Sequence, residues 1–118
     1  MIILHPSQIF LLLILTATHG YADDLQEGLD AYKRKDYKTG LDKLKPLAEK
    51  GNAEAQYFVG RIYGTLTYQR EDFYENDKKF KKWIELSAKN GFPEAQSHLA
   101  GVYLYEFLVS NNNSKLLL

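Results

Sequence analysis

The chain has 118 residues, with 15 basic and 15 acidic side chains and no cysteine. That charge balance argues against a nucleic-acid binder, which needs a surplus of Lys and Arg against phosphate. The lack of Cys excludes disulfides, thiolate zinc sites, a cysteine nucleophile and a lipid-modified N-terminal Cys, while an apolar content of 45% suffices for a core.

Residues 1–22 contain no Lys, Arg, Asp or Glu, and Ile9 to Leu15 is an unbroken apolar run. The run is shorter than the roughly 20 residues that span a bilayer. Gly20 and Ala22 place small side chains at the −3 and −1 positions of a cleavage site, so the segment reads as a secretory signal peptide. Its n-region carries only His5 and the free amine, and the alternative is an uncleaved anchor or a buried helix. Asp23-Asp24 opens a polar mature chain that holds every charged residue.

Hydrophobic periodicity predicts helices over 24–34, 37–50, 53–65, 75–90 and 94–109. Pro46 falls inside the second, where it removes a backbone donor and should bend the helix. In the third, Ala55, Phe58, Val59, Ile62 and Tyr63 fall on one apolar stripe. In the fourth, Phe80, Trp83, Ile84, Ser87 and Ala88 repeat that spacing, and Lys78, Lys79, Lys81, Lys82 and Glu85 cover the other faces. Gly51 and Gly91 stand where a helix C-terminus needs a left-handed residue, and Pro93 suits a first helical turn. Asn111-Asn112-Asn113-Ser114 ends the last helix, leaving 110–118 as a flexible tail.

The chain repeats itself. Ala48, Gly51, Glu54, Ala55 and Gln56 recur as Ala88, Gly91, Glu94, Ala95 and Gln96, 40 residues later. Val59, Gly60, Ile62 and Tyr63 pair with Leu99, Ala100, Val102 and Tyr103 at the same spacing. A period of about 40 residues means a helical solenoid or a similar array.

The pattern A-x-x-G-x-x-x-A-Q-x-x-[LV]-G-x-x-Y resembles the core of Sel-one-like repeats (SLR), relatives of the tetratricopeptide repeat. Ala48, Gly51, Ala55, Gln56, Val59, Gly60 and Tyr63 match it in the first copy. Ala88, Gly91, Ala95, Gln96, Leu99 and Tyr103 match it in the second. Trp83 with Ser87-Ala88 is similar to the family's W-Y-x-x-A-A segment, with Ile84 in place of Tyr. Gly28 to Tyr37 and Pro46-Leu47-Ala48 look like the first repeat of exported bacterial members. The resemblance implies an all-α fold, a short right-handed α-solenoid of about two and a half SLR units spanning 23–109. It also implies an adaptor or scaffold role in a bacterial periplasm or outside the cell. The family's G-x-G-V turn is missing, replaced by a longer aromatic loop from Gly64 to Tyr74. The chain stops after the first helix of its third unit, so Tyr105, Phe107, Leu108 and Val109 would need a cap, a partner or a second copy, or Leu116-Leu117-Leu118 folded back over them.

No cofactor motif appears. His98 stands where the first copy has Phe58 and reads as a packing residue, with no second His beyond the leader to share a metal. Glu71, Asp72, Glu75 and Asp77 read as a solvated turn that biases the next helix N-terminus. The expected function is protein–protein interaction without catalysis, with a protein or peptide partner, no nucleic acid and no stable membrane insertion after signal cleavage. The partner surface is assigned to Gln56, Tyr57, Arg61 and Gln96, although the recurrence of Gln56 and Gln96 also fits hydrogen bonds between helices. The structural repeat residues are Gly51, Ala55, Gly60, Tyr63, Trp83, Ala88, Gly91, Ala95, Leu99 and Tyr103. Alternatives are a cell-wall or β-lactam-related hydrolase on the same scaffold, or a truncated remnant of a longer repeat protein.

Overall fold

A computed structural model describes residues 3–68 and 72–116. Five helices follow one another: α1 (Pro6–Lys33), α2 (Tyr37–Glu49), α3 (Ala53–Thr67), α4 (Phe73–Lys89) and α5 (Pro93–Leu116). No strand occurs among the described residues, and each helix packs on the next. Helix α1 also touches α3, so alternate helices stack along one side of the row. The result is a short α-solenoid 85 × 27 × 20 Å in extent.

The interhelical turns share one construction. Gly51 has φ of 101° and Gly91 has φ of 90°. Each lets its own N–H and the next one reach back to orphan carbonyls of the preceding helix. Gly51 N–H donates to Ala48 O and Asn52 N–H to Leu47 O, both at 3.1 Å. Gly91 N–H and Phe92 N–H make the corresponding bonds to Ala88 O and Ser87 O, also at 3.1 Å. The α1–α2 turn uses the same pair of bonds with Lys35 in the left-handed position, φ 64°. After the first two turns, Asp36 Oδ1 and Asn52 Oδ1 accept from Thr39 N–H (3.2 Å) and Ala55 N–H (2.8 Å), capping α2 and α3.

The core lies where α2, α3 and α4 meet. Leu44, Val59, Ile62 and Ile84 are fully buried, with Trp83, Tyr63 and Leu47 close behind. Each aliphatic side chain so buried contributes about 1.5–3 kcal/mol. Glycines set the approach of the helices: a Cβ at Gly28 would meet Leu44 Cγ at 2.5 Å, and one at Gly60 would meet Ile84 Cδ1 at 3.0 Å. Lys43 ties α2 to α1 by ion pairs with Asp24 (3.2 Å) and Glu27 (3.0 Å), which hold its amine above the usual lysine range.

Two elements, α1 and α5, run well beyond the limits expected from the sequence. Helix α1 begins at Pro6 and not near residue 24, because Pro6 fits a first turn, Gln8 Oε1 accepts from the cap residue's N–H at 3.0 Å, and the apolar run that follows continues the helix. Gly20-Tyr21-Ala22 therefore lies inside α1, where Tyr21 packs at the edge of the core. Helix α5 runs through Asn111-Asn112-Asn113 to Leu116, so the part of the expected tail up to that point is helical. Its large side chains Tyr103, Leu104, Tyr105, Phe107, Leu108 and Val109 are exposed, and the expected fold-back of Leu116-Leu117-Leu118 turns on residues 117 and 118, which lie outside the described residues. Among the described residues, no helix is long and apolar enough to cross a membrane.

Candidate interaction surface

Stacking of α1, α3 and α5 on one side of the row builds a ribbon of rings. Tyr32 of α1 meets Phe58 of α3 edge-on with centroids 5.0 Å apart, and Phe58 meets Tyr57 at 5.2 Å. Tyr57 in turn faces Phe92, the residue before α5, at 5.2 Å, and His98 of α5 at 6.4 Å. His98 also meets Phe80 of α4 edge-on at 5.3 Å. Such pairs prefer edge contacts because the positive rim of one ring meets the negative face of another. The ribbon is half-buried and fixes the orientation of each ring in it.

Arg61 stands one turn after Tyr57 on α3, which puts the two side chains on the same face. Arg61 Nη1 donates to the Tyr57 hydroxyl at 3.2 Å, and the guanidinium lies 5.8 Å from the centre of the Tyr57 ring. Partial burial opposes the charge, but the Tyr57 hydroxyl and the nearby Tyr32 outweigh it and raise the pKa of Arg61. Beside it opens a cleft of about 480 Å³ between α3, α4 and α5, lined by Arg61, Gly64, Thr65, Tyr68, Phe80 and His98 among others. Burial, and secondly the charge of Arg61, hold His98 below its ordinary pKa, so the ring is neutral at pH 7.

The structure thus brings Tyr57 and Arg61 together and separates them from the glutamines. Gln56 is 1% exposed and belongs to the interior, a correction to its assignment as partner surface. Its Nε2 donates to Ala48 O at 3.0 Å, and its Oε1 accepts from Asn90 Nδ2 at 2.9 Å. Gln96 repeats the first bond, donating to Ala88 O at 3.2 Å, but stays exposed. It lines a shallow groove with Lys89, Leu99 and Tyr103, away from Arg61. The glutamines join helices at a 40-residue interval, as the alternative reading of their recurrence held.

The structural repeat residues fall into two groups. Ala55, Gly60, Tyr63, Trp83, Ala88 and Ala95 are buried, and Gly51 and Gly91 make the left-handed turns. Leu99 is half-buried and Tyr103 is 55% exposed, against 9% for its counterpart Tyr63. Of the acidic group, Glu71 lies outside the described residues, Asp72 precedes α4 without a side-chain cap bond, and Asp77 pairs with Lys81 at 3.3 Å. Among the described residues no three His, Asp or Glu side chains converge as metal ligands do. Reading the sequence alone missed Tyr32, Phe80 and Phe92 as parts of the surface. Their ring contacts join different helices, and spacing along one helix carries no sign of them.

No family model, curated protein or solved structure matches the chain.

Proposed function

We propose that this protein is an exported, non-catalytic adaptor that holds a segment of a protein partner against the α1–α3–α5 side of its solenoid. The observation that carries this reading is the Tyr57–Arg61 pair, fixed within a ring ribbon that crosses three helices. Tyr and Arg concentrate binding energy at interfaces because both combine large area with directional polar groups, and Arg presents its donors as a rigid planar fork. Stacked helix pairs present such residues along an extended surface. The apolar run before Gly20-Tyr21-Ala22 supports export as a signal peptide. The resemblance to exported SLR proteins supports both the binding role and a periplasmic or secreted location.

The test uses the tagged chain as bait for chemical crosslinking in an envelope extract of its own host, with partners identified by mass spectrometry. The control bait carries Tyr57→Ala and Arg61→Glu and is first shown by circular dichroism to be as helical as the parent. One protein captured by the parent and lost by the control is the expected result. Equal capture by both baits, or none by the parent, rejects the reading.

A further inference from the structure

We infer that the cleft beside Arg61 takes a carboxylate of the bound segment, with an apolar side chain next to it. The inference rests on the adaptor reading and specifies the chemistry of its ligand. Among the described residues no carboxylate lies within 4.0 Å of Arg61, although six other ion pairs form. A guanidinium carries five N–H donors in a planar fork; the Tyr57 hydroxyl takes one at 3.2 Å, and the Tyr32 hydroxyl stands close enough to engage a second. The remaining donors belong to a half-buried cation at the wall of the cleft. A fork of this kind matches the two oxygens of a carboxylate, and partial desolvation strengthens the pairing.

The rest of the cleft restricts the ligand further. Arg61 is its one basic side chain among the described lining residues, since His98 is neutral at pH 7. A single cation complements a single negative charge better than the double charge of a phosphate. Asp77, the acid in the lining, is already paired with Lys81 at 3.3 Å. Phe80, His98 and Tyr68 give the cleft ring walls. A volume of about 480 Å³ lies in the range of small-ligand sites and admits one large apolar side chain together with its carboxylate. The carboxylate is either the C-terminus of the segment or an Asp or Glu side chain within it.

Three acetylated probe peptides separate these sources. One is three alanines followed by phenylalanine with a free C-terminal acid. The second is the same peptide as its C-terminal amide. The third is that amide with glutamate in place of the alanine before phenylalanine. Binding is read from backbone amide shifts of residues 57–65 and 98 and from the Arg61 side-chain Nε–H signal in the 15N-labelled full chain. The acid, the glutamate amide, or both are expected to bind about ten-fold or more tightly than the plain amide, as a charge-assisted pair requires. Whichever carboxylate binds identifies the source. Arg61→Gln should abolish the preference, and Arg61→Lys, which keeps the charge without the fork, should keep part of it. Equal binding of all three probes, or an unchanged preference in a helical Arg61→Gln chain, overturns the inference and leaves the adaptor reading standing. Failure of every probe to bind also overturns it, and partner capture then decides the adaptor reading separately.

Discussion

At residue scale, equivalent side chains differ in what surrounds them. Gln56 bridges Ala48 O and Asn90 from a position with almost no solvent access, whereas Gln96 makes the corresponding bond to Ala88 O at the surface. Removing a buried amide strands its partners, but removing an exposed one lets water replace it. Gln56→Ala should therefore destabilise the chain by about 1–3 kcal/mol in urea titration, and Gln96→Ala by less than about 0.5 kcal/mol. Equal costs would contradict the different roles. His98 supplies a pH test. Burial and Arg61 hold its pKa below 6.5, with Tyr57 and Phe80 as its other neighbours, so the unfolded chain takes up this proton at a higher pH than the folded one. Stability then rises with pH through the window just below 6.5 and gains nothing further from this group above it. His98→Phe, which copies Phe58, should shrink the fall in Tm between pH 7.5 and pH 5.5. The same fall in parent and variant would exclude His98 as its source.

At element scale, helix contacts decide which glycines are required. Gly28 sits where a Cβ would meet Leu44 Cγ at 2.5 Å, while Gly101 has nothing within 4 Å. Gly28→Val should cost about 1–3 kcal/mol through overpacking, and Gly101→Ala should gain up to about 1 kcal/mol from helix propensity, both read by thermal melting. The boundaries of α2, α3 and α4 were legible in the sequence within two residues, and Gly51 and Gly91 mark the C-termini of α2 and α4 chemically. The apolar stripes of α3 and α4 face the core as periodicity indicated, with Phe58 and Phe80 at its half-buried edge. The N-terminal limit of α1 and the C-terminal limit of α5 were not legible. An apolar leader and a run of Asn resemble a targeting segment and a helix stop, and neither composition prevents the backbone from continuing as helix. Lys35 was missed as a left-handed residue because nothing in its type announces that conformation.

At the scale of the whole molecule, the row of helices concentrates burial in its middle. Neighbours cover α3 through α2 and α4, whereas Leu104, Tyr105, Phe107, Leu108 and Val109 on α5 remain 40–69% exposed. In a solenoid, stability is approximately a sum of units and their nearest-neighbour interfaces, so opening should begin at the less covered end. Native-state hydrogen exchange should show the slowest amides in α2 to α4 and much faster exchange over 104–113. Uniform protection along the chain would show a single cooperative unit instead. Tyr57 and Arg61 were both placed on the candidate surface from the sequence, and their contact follows from the one helical turn between them. The ribbon and the cleft were not legible, because they exist only once α1, α3, α4 and α5 are stacked.

The central claim is that this stacked side binds the partner. It is tested most directly by placing a photo-crosslinking amino acid at Tyr57 in one chain and at Glu85, exposed on α4, in another, and irradiating each in a host envelope extract. One protein is expected to be joined through position 57 and not through position 85. Joining of the same protein through position 85 alone, or through neither position, would contradict it.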